Sequence, residues 1–322
     1  MNTLKKLSIV AILIAVIIGF TGCGSEKENL KNDESNAVGQ EQVKSQARAD
    51  HEKNPEATMI VEYVNDNGET KQGKIVMELF ANEAPETVSN FVNLVQNEFY
   101  NGSTFHRIVE NFMIQGGAKI NTRAESSSTS NSNEASASTN ESVCVSDIDK
   151  SVEAGSESDY SYSIKGEFAK NGVDNGLKFE AGTVAMARAD YSYFGMAEEG
   201  YNSASSQFFI TNTDDKSVCE NLQDLYAIFG RVTEGYDVVL EISKVKVKMN
   251  ESGTENSTPE VAPIIKSITI DTFGEEYGIP QLINADKVME KVQEAYTKIM
   301  TQYYGGSNNQ ENNGQEEEGN PR

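Results

Sequence analysis

The sequence predicts a mainly β protein organised around a closed barrel. Two observations carry this expectation: a succession of short strand-like segments between residues 58 and 270, and few helical patterns among them. Thr58 to Val64 and Lys74 to Phe80 read as two strands joined by Asn65-Asp66-Asn67-Gly68, the turn chemistry of a hairpin. Ile75, Met77 and Leu79 alternate with polar or smaller neighbours, as a half-buried strand requires. Pro85 suits the first position of a helix, and Val88, Phe91, Val92 and Val95 then recur at i, i+3, i+4 and i+7. Further strands are expected near residues 104–108, 112–116, 183–188, 207–212, 226–232 and 263–270, with a second helix over Tyr236 to Ser243.

Polar segments interrupt and flank this core. Residues 121–160 are rich in Ser, Thr, Asn and Glu and bury little, so a solvated insertion is expected, as a spacer or a partner-binding segment. Residues 249–260 read as a smaller polar loop. After the last strand, Leu282, Ala285, Met289, Val292, Tyr296, Ile299 and Tyr303 recur at alternating intervals of three and four, one apolar stripe on a C-terminal helix within 275–304. That stripe fits a helix lying on its own domain; a partner helix docking along 282–303 is the alternative. Residues 305–322 are Gly, Asn, Gln and Glu and read as a disordered tail.

The 322 residues carry a formal net charge of −23, which argues against a nucleic-acid-binding role. There is no Trp and there are two His, so histidine chemistry has little material; no metal-ligand cluster, phosphate loop or nucleophile–base pair is visible, and no metal or organic cofactor is implied. Residues 1–22 read as a signal peptide. Lys5 and Lys6 supply its basic start, and the apolar run Leu7 to Phe20 is shorter than the ~20 residues of a comfortable membrane span. The run ends in Phe20-Thr21-Gly22-Cys23, which resembles the bacterial lipoprotein box. That resemblance implies cleavage before Cys23 and a diacylglyceryl thioether on it, often with a further acyl chain such as palmitate, and hence a stable extracytoplasmic membrane anchor. An ordinary secretory signal with an incidental cysteine is the alternative. Residues 23–57 would then be a flexible tether, with ordered structure from Thr58. Cys144 and Cys219 are permitted a disulfide outside the cytoplasm, but two separate thiols are the simpler reading.

The densest chemistry lies in Phe105-His106-Arg107-Ile108-Val109-Glu110-Asn111-Phe112-Met113-Ile114-Gln115-Gly116-Gly117. A cation, two apolar side chains and an amide fall close together before a double glycine. Such a set can grip an apolar group while polarising something beside it. Read alone, Arg107 fits a surface ion pair, Phe112 and Met113 fit core positions, and Gln115 fits an exposed strand residue.

This run resembles the signature of cyclophilin-type peptidyl-prolyl isomerases, and the resemblance continues in order over residues 58–273. Ser163-Ile164-Lys165-Gly166-Glu167-Phe168, Gly182-Thr183-Val184-Ala185-Met186-Ala187-Arg188, Ser206-Gln207-Phe208-Phe209-Ile210 and Ala227-Ile228-Phe229-Gly230-Arg231-Val232 supply the matching blocks. The fold implied is a closed eight-stranded antiparallel barrel with two capping helices, and the activity is cis–trans isomerisation of X–Pro bonds in polypeptide substrates. By the same resemblance Arg107 is catalytic, and Gln115 orients it and holds the substrate backbone. Phe112, Met113, Phe209 and Leu222 line the proline pocket, while Ala187, Arg188, Gln207 and Tyr226 border the groove. Phe208 is expected in the core, because neighbours on a strand face opposite ways. His106 is expected to be structural. Tyr226 stands where the family often carries His. Asn221 stands where many eukaryotic members carry a cyclosporin-contacting Trp, which implies weak cyclosporin binding. The aromatic stretch 190–204 either extends over the groove or folds back on the barrel. Two non-enzyme readings stay open: a module that holds proline segments with little turnover, and a scaffold acting through the helix and insertion.

Overall fold

The computed structural model describes residues 46–118, 162–192 and 195–304. The expected signal peptide, Cys23, the insertion 121–160, Cys144, Tyr193, Phe194 and the tail lie outside the described residues. The described residues form twelve strands: β1 (Glu56–Val64), β2 (Thr70–Leu79), β3 (Thr104–Val109), β4 (Met113–Ala118), β5 (Tyr162–Ile164), β6 (Thr183–Met186), β7 (Phe208–Thr211), β8 (Ile228–Glu234), β9 (Val247–Met249), β10 (Asn256–Pro259), β11 (Ile264–Asp271) and β12 (Leu282–Asn284). The α-helices among the described residues are α1 (Pro85–Gln96), α2 (Lys216–Leu222), α3 (Tyr236–Ile242) and α4 (Ala285–Tyr304).

Eight strands close into an antiparallel barrel in the order β1-β11-β3-β4-β7-β6-β8-β2. Alternation explains the closure: in β1 every second residue is buried, so one face of the strand turns wholly inward. Asn65 sets the β1–β2 turn, its Oδ1 accepting from the backbone N–H of Asn67 at 3.1 Å and of Glu69 at 2.8 Å. Helix α1 sends Phe91 into the core, where its ring meets Tyr100, Phe208 and Phe229 at centroid distances of 5.1, 5.8 and 5.3 Å. Helix α3 packs on β2, and Gly73 leaves room there for Val238.

The start of α1 is capped from a distance. Ala84 offers no side-chain cap; instead the Glu167 carboxylate accepts from Glu86 N–H at 3.1 Å, Thr87 N–H at 2.8 Å and the Thr87 hydroxyl at 2.7 Å. An anion at a helix N-terminus meets the positive end of the dipole. Burial nevertheless pushes the Glu167 carboxyl above its ordinary value, with the Thr87 bonds opposing that shift.

Three boundaries differ from the sequence expectation. The segment read as free tether is packed from Gln46 onward. Gln46 N–H donates to Ile279 C=O at 2.9 Å, and His51 exchanges hydrogen bonds with Asn82 while stacking on Tyr277 at 4.3 Å. The composition of 46–55 gave no sign of this, because the contacts run through backbone groups and single side chains on distant segments. The loop 249–260 contains structure: β9 and β10 pair as an antiparallel hairpin. The C-terminal helix starts at Ala285, because Leu282, first in the apolar stripe, pairs with Ile164 in a separate two-stranded sheet, β12 with β5. No described helix is long and apolar enough to cross a membrane.

Candidate active site

The barrel carries a second apolar cluster apart from its core, built by strand register. Arg107 on β3 lies opposite Gln115 on β4, Gln115 opposite Phe209 on β7, and Phe209 opposite Ala185 on β6. Directly opposed residues share a face, so one row runs across four strands. Around it gather Met113, Phe179, Ala185, Phe209, Leu222 and Ile228, all buried. Phe112, Ala187, Val218, Cys219 and Tyr226 close in as partly buried neighbours. Phe208 points the other way and is fully buried in the barrel core, as the strand geometry requires. The Phe209 ring meets Tyr226 edge-on at 5.4 Å and lies parallel to Phe179 at 6.1 Å.

Arg107 stands at one end of this cluster. Its Nη1 donates to Gln115 Oε1 at 3.3 Å and faces Met113 Sδ at 3.7 Å, and its guanidinium lies 5.6 Å from the Phe112 ring. Gln115 Nε2 in turn donates to Gln207 Oε1 at 3.0 Å. Two amides in series thus fix the guanidinium on its inner side. The outer side is held by a residue the sequence reading passed over. Glu255 accepts from Arg107 Nε at 2.8 Å and from Nη2 at 2.9 Å, a two-point carboxylate fork. The Arg107 hydrogen bond keeps the Glu255 carboxyl below its ordinary 4.5, so it remains ionised above that value and loses the pair only as pH falls through the lowered one. Nothing local in the sequence pointed to this pair, since the partners lie 148 residues apart. The hairpin that presents Glu255 was read from the sequence only as a polar loop over residues 249–260.

The remaining site candidates divide. Leu222 comes from the short helix α2, whose Asp215 cap accepts from Ser217 and Val218 N–H. Ala187 N–H donates to Gln207 C=O at 2.9 Å, joining the two groove-border segments. Arg188 turns away from the Arg107 row. Its Nε donates to Leu225 C=O at 2.7 Å and its Nη1 to Ala189 C=O at 2.8 Å, while its guanidinium stacks over Tyr226 at 4.8 Å and Tyr201 at 5.2 Å. It fastens Tyr226 from behind. The described part of the 190–204 stretch folds onto the barrel side: Tyr191 is buried, and Tyr201 packs edge-on against Phe168 at 5.3 Å. His106 has its protonation disfavoured, chiefly by burial. Cys219 is a free thiol, and Asn221 is exposed on α2. Among the described residues, no group of three His, Cys, Asp or Glu could hold a metal ion.

The double glycine is a geometric requirement of this wall. Gly117 has φ +77°, and a Cβ there would meet the Ser206 carbonyl oxygen and Tyr100 Cε1, both at 2.9 Å. Gly117→Ala is expected to cost at least ~1–2 kcal/mol from backbone handedness alone. A urea titration checks this, with an unchanged midpoint as the contrary outcome.

The family model for "Cyclophilin type peptidyl-prolyl cis-trans isomerase/CLD" matches residues 66–269. The chain belongs to this family. A peptidyl-prolyl cis-trans isomerase of Acinetobacter baylyi is 32% identical over 205 residues, covering 63% of this chain and 84% of the relative. Peptidyl-prolyl cis-trans isomerase B of Escherichia coli is 32% identical over 205 residues, covering 62% of this chain and 96% of the relative. A Streptomyces antibioticus peptidyl-prolyl cis-trans isomerase is 32% identical over 206 residues, covering 62% and 95%. The matched span contains the whole Arg107 row and the Glu255 hairpin, whereas residues 1–65 and the C-terminal helix lie outside the family match.

Proposed function

We propose that this cyclophilin-family isomerase turns X–Pro bonds in exported polypeptides at the outer face of the cytoplasmic membrane, held there by lipid on Cys23. The observation that carries the catalytic part is the position of Arg107: a fixed guanidinium at the rim of an apolar pocket. The chemistry needs little more. Rotation about an X–Pro bond breaks amide resonance, against a barrier of ~18–20 kcal/mol, and no bond is made or cut. The catalyst must only favour the twisted amide over both planar forms. In the twisted state the ring nitrogen regains a lone pair. Phe112, Met113, Phe209 and Leu222 hold the ring in a dry pocket. A guanidinium has five N–H donors. Glu255 takes two of Arg107's and Gln115 takes one. Those that remain face the weakly accepting Met113 sulfur or no acceptor among the described residues. They serve the ring nitrogen and the neighbouring carbonyl. Gln115 and Gln207 offer amides to the substrate backbone, and Tyr226 shields the pocket with its ring while its hydroxyl can donate. Lowering the barrier by ~7 kcal/mol would speed the step about 10⁵-fold.

Support for the location comes from residues 5–23 of the sequence, the basic start, the apolar run and the cysteine. Cys23→Ser is expected to move the protein from the membrane fraction to the soluble extracytoplasmic fraction without loss of isomerase activity. Retention of the variant in washed membranes would overturn the lipid anchor.

A further inference from the structure

We infer that Glu255 is a positioning residue for Arg107, delivered to the groove by a purpose-built hairpin. The inference rests on the isomerase reading above and deepens it, giving residues 247–259 a part in turnover.

Three observations support it. First, the contact is two-point: both carboxylate oxygens meet the Nε–Nη2 edge, at 2.8 and 2.9 Å, which fixes the plane of the guanidinium as well as its position. A single bond would leave the plane free to rotate. With Gln115 on Nη1, contacts on both flanks leave the guanidinium one orientation, with its free donors toward the pocket. Second, the carboxylate is itself held. The buried Ser257, two residues along the same hairpin, adds to the pull of Arg107 in keeping the carboxylate ionised. Third, the turn that presents it is tied at several points. Asn250 Oδ1 accepts from Thr254 N–H at 2.9 Å, Glu255 N–H at 3.3 Å and the Ser252 hydroxyl at 3.1 Å, and Asn250 N–H donates to Glu255 C=O at 2.8 Å. The hairpin lies along β3, the strand that carries Arg107. An incidental surface pair needs none of this support, since exposed ion pairs contribute only ~0–1 kcal/mol. Here the side chains are 35% and 32% exposed, and every atom of the fork has a defined place.

Positioning and inhibition make opposite forecasts. A carboxylate that occupied the substrate-facing donors would inhibit, and its removal would raise activity. Glu255 instead takes the edge away from Met113 and Gln115, so its removal should let the guanidinium swing and lower turnover.

The test is a double-mutant cycle on the full chain in detergent, using an Ala-Pro peptide, with kcat and KM measured separately. Glu255→Ala is expected to lower kcat about tenfold with KM within about twofold, since the guanidinium matters most in the transition state. Glu255→Gln keeps one acceptor oxygen and should recover part of the loss. Asn250→Ala loosens the turn without touching Arg107 and should give a smaller loss of the same kind. In an Arg107→Ala background, Glu255→Ala should change nothing further. Losses that add in that background, a rise in KM alone, or unchanged or increased activity in Glu255→Ala would overturn the inference. Its failure is distinguishable from failure of the isomerase reading: if Arg107→Ala alone matches wild type, the catalytic assignment fails; if only the Glu255 arm is flat, the positioning assignment fails.

Discussion

Arg107→Ala is expected to lower kcat/KM for an X–Pro peptide by about 10²–10³, the range seen when one preorganised transition-state donor is removed. The loss should fall mainly on kcat. The proline ring would still bind among Met113, Phe209 and Leu222, which are buried apolar residues that do not depend on the cation. Stability should hardly change, because the arginine side chain is 35% exposed and its pair with Glu255 is a partly solvated one. Arg107→Lys should restore little. An ammonium is a point charge with no planar fork, so it cannot engage Glu255 at two points and still present fixed donors to the substrate. A protease-coupled assay and a thermal melt on the same preparations separate the two effects. A variant with wild-type kcat would remove the arginine from the chemistry.

The largest stability effect is expected at the residue beside the groove rather than in it. Phe208 has no exposed surface and is ringed by aromatic neighbours, with Phe91, Tyr100 and Phe105 edge-on at 5.8, 5.6 and 6.1 Å. Phe208→Ala would open a cavity where α1 meets the barrel, and neighbours fixed by strand and helix backbone cannot collapse into it. The expected cost is ~3–5 kcal/mol. Phe209→Ala, one residue along, should behave differently. Its ring belongs to the groove cluster and packs on Tyr226 and Phe179, so its loss should raise KM and cost less stability. Urea titrations with kinetics on both variants test the contrast. Equal stability losses with equal kinetic losses would mean that the two faces of β7 are not divided between core and groove.

The barrel was legible because its strands are amphipathic in the simplest way. β1 buries every second residue, and Ile75, Met77 and Leu79 on β2 show the same period in the sequence before any partner is known. The Arg107, Gln115 and Phe209 row was legible for a related reason: strand period and family blocks fix which residues share a face. What escaped has a common physical character. The β9–β10 and β5–β12 pairs are three or four residues per strand, too short to carry a periodic signal. Residues 46–55 are anchored by hydrogen bonds to Asn82 and Ile279, which composition cannot register. Leu282 fitted a helical stripe, but backbone pairing with Ile164 claimed it for a strand. Glu255 was one acidic residue among 50 Asp and Glu, and only the closing of the chain shows which of them meets the arginine.

On this reading the groove turns proline bonds rather than merely holding them. The most direct measurement is exchange NMR on an Ala-Pro peptide at equilibrium, with the chain lacking its first 23 residues present at a small fraction of the peptide concentration. Uncatalysed exchange takes tens of seconds or longer, so cis–trans cross-peaks at mixing times below about one second require catalysis. Such cross-peaks are predicted for the wild type and not for Arg107→Ala. Peptide resonances that shift on binding while exchange stays at the uncatalysed rate would contradict the account and leave a proline-binding module in its place.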